Sequence, residues 1–535
     1  MKKIRKIFAV LLSLAMVLGM SMTTFAAETT NKSNVVVSGV VAEKDNNNIK
    51  VEAYQIITYD EIGKYVPVIE GSIATDAEGN LSPTASNLLA LAGQTDKLTK
   101  VELKKSGDDY VSNDTDAILT AGSWMILVKG SVDYVYNPAV VSIQVSPEGN
   151  VYGELNLAKD TFTDELYLKR SEPTITKTAE KADVEDTEIQ GVQFGDIIKF
   201  TIKTTVPSYP TTKSDILYTI SDKLTGLSLV KTDDEGKYPV TVTGAGAFED
   251  TIKKAVVDGA DSISAVLEGD DEIRKIGGNT ITITYFAKVT TAAKINVDKA
   301  NNKATLEYST SDGTGSKSSE TNHYTFGIGT TVNGTYGSGK FDKTGEFIKT
   351  DDKGTISYVE NASDIIKTVG TELLDGAEFQ LHIGAADGAL FKDAEGKTTF
   401  KTTSDGRLEI NGLDSDVTYY LVETKAPAGY TINSTPVEVK ITASFDDNGI
   451  LTGYVVKIGD ATTNYGYKDN GVSVGDTTLI NTPETANNPY QFKNTKLSNL
   501  PSTGGIGTTI FTIGGCLIMI VAAGLFFASR RKSAK

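Results

Sequence analysis

Period-two alternation is the feature that most constrains this chain. Runs such as Thr280-Ile-Thr-Ile-Thr-Tyr-Phe286 and Val437-Glu-Val-Lys-Ile-Thr442 put apolar side chains on one face of an extended strand and polar ones on the other. Gly, Asp and Asn turns separate many such runs, which is the punctuation of β-sandwiches. Helical periodicity is confined to short pieces, Ala85 to Ala92 and Ala247 to Asp258, too short to build a helical domain. The expected class is all-β, with tandem immunoglobulin-like sandwiches. A length of 535 residues calls for several of them.

Seams divide the middle of the chain. Lys169-Arg-Ser-Glu-Pro173 and a Gly-, Ser- and Thr-rich stretch from about Thr310 through Gly339 mark three domains near 27–170, 171–325 and 326–497. Both ends carry addresses instead of domains. Met1-Lys-Lys-Ile-Arg-Lys6, an apolar run to about Met20 and Thr24-Phe-Ala-Ala27 are the three regions of a secretory signal peptide, cleaved near Ala26. At the other end Ile506 to Ser529 is nearly uncharged and long enough to cross a bilayer, and Arg530-Arg-Lys532 holds the terminus in the cytoplasm.

Several function classes lack parts. Acidic residues outnumber basic ones 69 to 52, so nucleic acid is a poor partner. Two histidines far apart, His323 and His382, and one cysteine, Cys516, supply neither a zinc site nor a thiol catalyst, and no nucleotide loop or Ser/His/Asp set is evident. No metal and no cofactor is expected. Cys516 lies in the apolar terminal span, so an exported chain of 27–503 would have no disulfides. It would keep 44 basic against 69 acidic residues, a net charge of −25.

Leu500-Pro501-Ser502-Thr503-Gly504 stands just before the apolar span. Motif, span and basic tail together resemble the LPxTG sorting signal of sortase substrates in Gram-positive bacteria. The resemblance implies cleavage between Thr503 and Gly504 and transfer of the Thr503 acyl group to an amine, with the span as a temporary membrane stop.

Leu374-Asp-Gly-Ala-Glu-Phe-Gln-Leu381 and Tyr419-Tyr-Leu-Val-Glu-Thr-Lys-Ala-Pro-Ala-Gly-Tyr430 resemble the LxGAxFxL and YxLxExxAPxGY motifs of collagen-adhesin B-type domains. Alternation puts Glu423 on the face of Tyr419 and Leu421, where a lone carboxylate would be costly. Lys349 in Phe347-Ile-Lys-Thr-Asp351 and Asn494 in Phe492-Lys-Asn-Thr495 each stand two residues from an aromatic on the same face. By the resemblance such a trio forms a spontaneous Lys–Asn isopeptide bond. Burial favours the neutral, nucleophilic amine, and a protonated acid polarises the amide. The amine attacks and ammonia leaves. Lys343 and Asn481, in Leu479-Ile-Asn-Thr482, are the alternatives.

The middle region carries a second set. Pro173-Thr-Ile-Thr-Lys-Thr178, Gly195-Asp-Ile-Ile-Lys-Phe-Thr-Ile202 with Val206-Pro207, Tyr218-Thr-Ile-Ser-Asp222 and Asn302-Lys-Ala-Thr-Leu-Glu-Tyr308 resemble the isopeptide-forming middle domain of shaft pilins. The implied trio is Lys177, Asp222 and Asn302, with Asn301 as the alternative amide. The same resemblance points to an acceptor lysine at the end of the first domain, in a VYPK-like segment. Leu166-Tyr-Leu-Lys169 occupies that place with Leu168 instead of proline, so Lys169 is the candidate and Lys159 and Lys181 are its alternatives.

From signal peptide to basic tail the chain resembles a backbone pilin of sortase-assembled pili. That implies a structural subunit, not an enzyme, with Thr503 of each copy joined to Lys169 of the next. Implied partners are a pilin-class sortase, identical subunits, minor pilins, and peptidoglycan through a housekeeping sortase. Localisation would be the cell surface, anchored covalently to the wall. A wall-anchored monomeric adhesin or a basal or minor pilin would share every feature except chain growth at Lys169. No DxSxS adhesion motif names a host ligand.

Overall fold

The computed structural model describes residues 34–60, 64–76, 80–113, 116–145, 151–152, 155–156, 161–182, 191–211, 213–231, 237–293, 300–329, 334–336, 339–341, 346–358, 366–447, 449–467, 479–481, 489–497 and 506–532. They form two compact units, Met1–Thr325 with Asp446–Ile450, and Phe326–Phe445 with Leu451–Lys535. Strands dominate both, and the all-β expectation holds.

The first unit opens with two facing sheets. Asn34–Ser38 lies parallel to Thr161–Tyr167 in one, and Lys50–Tyr59 runs antiparallel to Gly122–Lys129 in the other. Val35 and Val37 from the first sheet meet Val51, Ala53, Trp124 and Ile126 from the second. Lys50–Tyr59 is buried on both faces, unlike a simple sandwich strand. Its other face, with Tyr54 and Ile56, is covered by the helix Ala85–Ala92 through Leu88 and Leu91. That helix has the bounds expected from the sequence.

The ladder shifts register between Gln55 and Ile57, and Gly122 sits opposite the shift at a φ of +133°. A Cβ there would stand 1.9 Å from the Ile57 carbonyl oxygen, so the bulge needs glycine.

The same unit continues with a second sandwich. One sheet orders the strands Thr174–Lys181, Ile197–Thr205, Thr280–Val289 and Leu227–Leu229, and the other Ser262–Val266, Tyr218–Leu224, Ala300–Ser309 and Thr314–His323. Inward positions keep strict alternation: Ile175, Lys177 and Ala179 on one strand, Tyr218, Ile220, Asp222 and Leu224 on another. The helix Glu249–Asp258, led by a 3-10 turn at Gly246–Phe248, packs Ile252 and Val256 into this core. Within the unit, Val135 enters the second core and the Tyr308 hydroxyl donates to the Val132 carbonyl at 2.9 Å, which ties the two sandwiches together.

In the second unit a nine-stranded sheet contains Glu378–Ile383, Thr418–Lys425, Val437–Phe445 and Leu451–Ile458 as successive antiparallel pairs. Phe347–Asp351 and Tyr490–Asn494 pair in parallel beside it. Phe347, Phe379 and Phe492 interlock, with Phe379 edge-on to the other two at centroid distances of 5.3 and 5.0 Å. The helix Ile506–Lys532 includes an apolar, exposed stretch, Thr509–Arg531, long enough by length and composition to cross a membrane. At roughly 1.5 Å per residue it reaches past a hydrocarbon core of about 30 Å.

Trp124, the single tryptophan, is buried beside the bulge and reports this first sandwich alone. Gly122→Ala should cost about 2 kcal/mol or more in urea unfolding followed by tryptophan fluorescence, because clash and backbone strain add. Gly107→Ala, at a φ of +64° with open space around it, should cost about 1 kcal/mol.

Candidate functional site

Polar side chains at inward strand positions have no water to turn to, and two sets of them find each other. In the first unit Lys177 comes from one sheet and Asp222 and Asn302 from the facing one. All three are buried. The Lys177 Nζ donates to Asp222 Oδ2 and, at 2.8 Å, to the hydroxyl of Tyr285. That hydroxyl donates to the same Asp222 Oδ2 and accepts from Asn302 Nδ2 at 2.6 Å. Among the described residues Asp222 Oδ1 and Asn302 Oδ1 have no partner.

Aromatic rings seal the amine. Its Nζ lies 5.0 Å from the Phe200 centroid and 5.4 Å from that of Tyr285, and the two rings stack at 5.3 Å. Burial lowers the Lys177 amine to about 8, with Asp222 opposing the shift. His323 packs edge-on against Phe200 at 5.5 Å. Burial, reinforced by the nearby Lys177, holds its imidazole down at about 3.

The second unit repeats the theme with different contacts. Lys349 and Asn494 lie on the parallel strand pair, and Glu423 on Thr418–Lys425. The Lys349 Nζ donates to Asn494 Oδ1 and, at 3.2 Å, to the Phe492 carbonyl. Asn494 Nδ2 donates to both Glu423 oxygens at 3.0 and 2.9 Å, and Glu423 Oε1 is 3.5 Å from the amine. The Asn433 backbone N–H adds a bond of 2.7 Å to Glu423 Oε2. Burial lowers Lys349 to about 8 as well, against the pull of Glu423. Each set thus gathers a partly neutral amine, a carboxyl group and a primary amide, in direct contact around Glu423 and linked through the Tyr285 hydroxyl around Asp222. The chemistry open to it is acyl transfer from the amide to the amine with loss of ammonia.

Lys169 has the opposite setting. Leu168 is buried in the first core while Tyr167 and Lys169 are exposed on either side. The Leu168 N–H donates to the Ser38 carbonyl at 2.9 Å, a bond that proline could not make. The Lys169 carbonyl accepts from the Asn137 N–H at 3.0 Å, so the segment is pinned with the lysine side chain outward. Lys181, an alternative, is half-buried and paired with Asp196 at 3.2 Å. Leu500, Pro501, Ser502, Thr503 and Gly504, the alternatives Lys159 and Lys343, and the signal peptide lie outside the described residues. So do the side chains of Asn301 and Asn481, whose backbones lie on strands.

Sequence reasoning did not include Tyr285 or the Asn433 N–H. Tyr285 shares the inward face of Ile281 and Ile283, and an inward tyrosine hydroxyl needs a partner, which is a readable signal. A loop amide such as that of Asn433 leaves no such signal.

Residues 363–453 match the SpaA prealbumin-like fold domain, and residues 493–535 match the LPXTG cell wall anchor motif. Over 464 residues, 77% of this chain and 79% of the relative, the sequence is 25% identical to the trypsin-resistant surface T6 protein of Streptococcus pyogenes serotype M6. Domain matches and sequence likeness together support reading the chain as a backbone pilin of the Gram-positive, sortase-assembled kind. A shorter likeness, 26% over 186 residues, covers 30% of this chain and 29% of the fimbrial subunit type 1 of Actinomyces viscosus. The solved T6 backbone pilin of S. pyogenes serotype M6 shares the fold, with a TM-score of 0.54 and 17% identity over 87% of this chain and 99% of that structure. The anchor motif and the apolar helix make the chain a cell-wall-anchored surface protein retained transiently in the membrane.

His323 supplies a test of how dry the first set is. The folded ring stays neutral down to about pH 3, whereas the unfolded ring takes up a proton near its ordinary value of 6.5. The unfolded state therefore binds the extra proton between these values, and stability falls as pH drops from about 6.5 towards 3. His323→Gln should remove about 1.4 kcal/mol per pH unit of that slope between pH 4 and 6, read by urea-dependent hydrogen exchange of the Thr280–Val289 strand.

Proposed function

We propose that this chain is the shaft subunit of a covalent pilus. A sortase cuts between Thr503 and Gly504 and joins the Thr503 carboxyl carbon to the Lys169 amine of the next subunit. Each subunit, in three domains of about 27–170, 171–325 and 326–497, closes two internal bonds, Lys177–Asn302 promoted by Asp222 and Lys349–Asn494 promoted by Glu423. The observation that carries the reading is the double occurrence of a buried amine, acid and amide in one hydrogen-bonded cluster, bridged by the Tyr285 hydroxyl in the first case and direct in the second, each in a cysteine-free β-sandwich.

The reaction follows from the contacts. Once neutral, the lysine attacks the amide carbon, a tetrahedral centre forms, and a proton moves from the attacking to the leaving nitrogen before ammonia departs. Neither atoms nor electrons come from outside. The product is a neutral amide, so the cost of keeping an ion pair in the core disappears. Exposure suits Lys169 to its different task, because an enzyme must deliver the acyl group to it.

The exported chain of 27–503 should weigh two ammonia molecules less than its sequence. Equality of the two masses would refute both bonds. Glu423→Ala should restore one ammonia. By the chain-entropy estimate for the 145-residue separation of Lys349 and Asn494, that change should also remove roughly 5 kcal/mol of stability from the second unit. An unchanged mass would exclude Glu423 as the promoting acid.

Polymerisation has its own test, tandem mass spectrometry of tryptic peptides from enzymatically released cell wall. The expected junction joins Thr503 to the side chain of Lys169. Another lysine would keep the polymer and move the site. Thr503 found only on peptidoglycan cross-bridge amines would make the chain a wall-anchored monomer or a basal subunit.

A further inference from the structure

The two trios do not divide the work in the same way. Glu423 touches both nitrogens that must exchange a proton, Asn494 Nδ2 at 2.9 Å and Lys349 Nζ at 3.5 Å. Asp222, one methylene shorter, binds the Lys177 amine but makes no hydrogen bond to Asn302 among the described residues. The gap is filled by a phenol. Tyr285 Oη lies 2.8 Å from the attacking nitrogen and 2.6 Å from the leaving one.

We propose that Tyr285 is the proton relay of the Lys177–Asn302 reaction. The inference rests on reading that trio as an isopeptide site. Attack of the Lys177 Nζ lone pair on Asn302 Cγ leaves the new C–N bond with a surplus proton on Nζ. Nδ2 cannot depart as an amide anion and must gain one proton to leave as ammonia. The Tyr285 oxygen takes the proton from Nζ while its own O–H, rotated from Asp222 Oδ2, protonates Nδ2. The Cγ–Nδ2 bond then breaks, and tyrosine ends as the neutral phenol it began.

The surroundings suit a neutral relay. Burial, then the Asp222 charge and hydrogen bond, push the phenol well above its ordinary value, so it does not act as a phenolate. Stacking on Phe200 and the bond to Asp222 fix the ring, leaving rotation of the hydroxyl as its remaining freedom. Amide nitrogen is a poor base in the resting state, where Nδ2 donates to Oη. It becomes basic in the tetrahedral centre, which reverses the direction of that hydrogen bond at the moment the relay needs it.

Pulsed cell-free synthesis of the full chain, with acid quenching at intervals, follows the appearance of the tryptic peptide pair joined through Lys177 and Asn302. Tyr285→Phe should slow this junction by about 100-fold, the lower end of general acid–base contributions. The Lys349–Asn494 junction in the same molecules is the internal reference and should keep its rate. A Tyr285→Phe rate within twofold of wild type would overturn the relay and leave the trio standing as the bond-forming site. Absence of the junction from the wild-type chain would overturn both. Incorporation of 3-fluorotyrosine at position 285 keeps size and hydroxyl but raises acidity, and should change the rate more than threefold. An unchanged rate there would overturn the relay even if the phenylalanine variant failed to fold.

Discussion

The interaction on which the rest depends is the burial of an amine among carbon atoms. An ammonium ion loses several kcal/mol on leaving water, and a carboxylate beside it returns only part of that. Lys177 and Lys349 escape by becoming easier to deprotonate, and each can be neutral only where apolar rings close over it. The sandwiches are built to that requirement. Phe200 and Tyr285 cap one amine and Phe492 the other; the facing sheet brings acid and amide to Lys177, whereas Lys349 takes its amide from its own parallel partner strand and its acid from Thr418–Lys425. The arrangement is unfavourable as a resting state, and the proposed reaction would relieve it by turning it into a neutral amide.

Asp222 and Glu423 illustrate how one chemical demand is met by two geometries. The longer acid reaches both nitrogens and is steadied by the Asn433 backbone. The shorter acid binds the amine and leaves the amide to a phenol from the facing sheet. Two oxygens of that site, on Asp222 and Asn302, are left without partners among the described residues, so its polar groups are less satisfied than those around Glu423.

Alternation makes the inward or outward setting of a strand residue legible, and it identifies Lys177, Asp222, Asn302 and Glu423 as side chains facing a core. What each one meets there is not legible, because strand order and sheet pairing are set by contacts distant in sequence. The parallel pairing of Phe347–Asp351 with Tyr490–Asn494 joins strands more than a hundred residues apart, and no local pattern encodes it. Lys50–Tyr59 misleads in another way. Its near-continuous burial, Glu52 and Gln55 included, reflects two cores, one against Trp124 and one under Leu88 and Leu91. Leu168 looks like a departure from a motif, yet its N–H completes a ladder with Ser38.

The parallel pair also fixes an order of events in time. Asn494 lies on the last strand among the described residues of its unit and only six residues ahead of Leu500. A chain emerging from its N-terminus therefore holds Lys349 and Glu423 with an open slot between them until almost all of it has left the exporting channel. Completion of the core and arrival of the sorting motif are then nearly simultaneous. On the proposed function, an incompletely emerged chain would lack both its closing strand and its cleavage site, so the same few residues would mark it as unfinished to the fold and to the sortase.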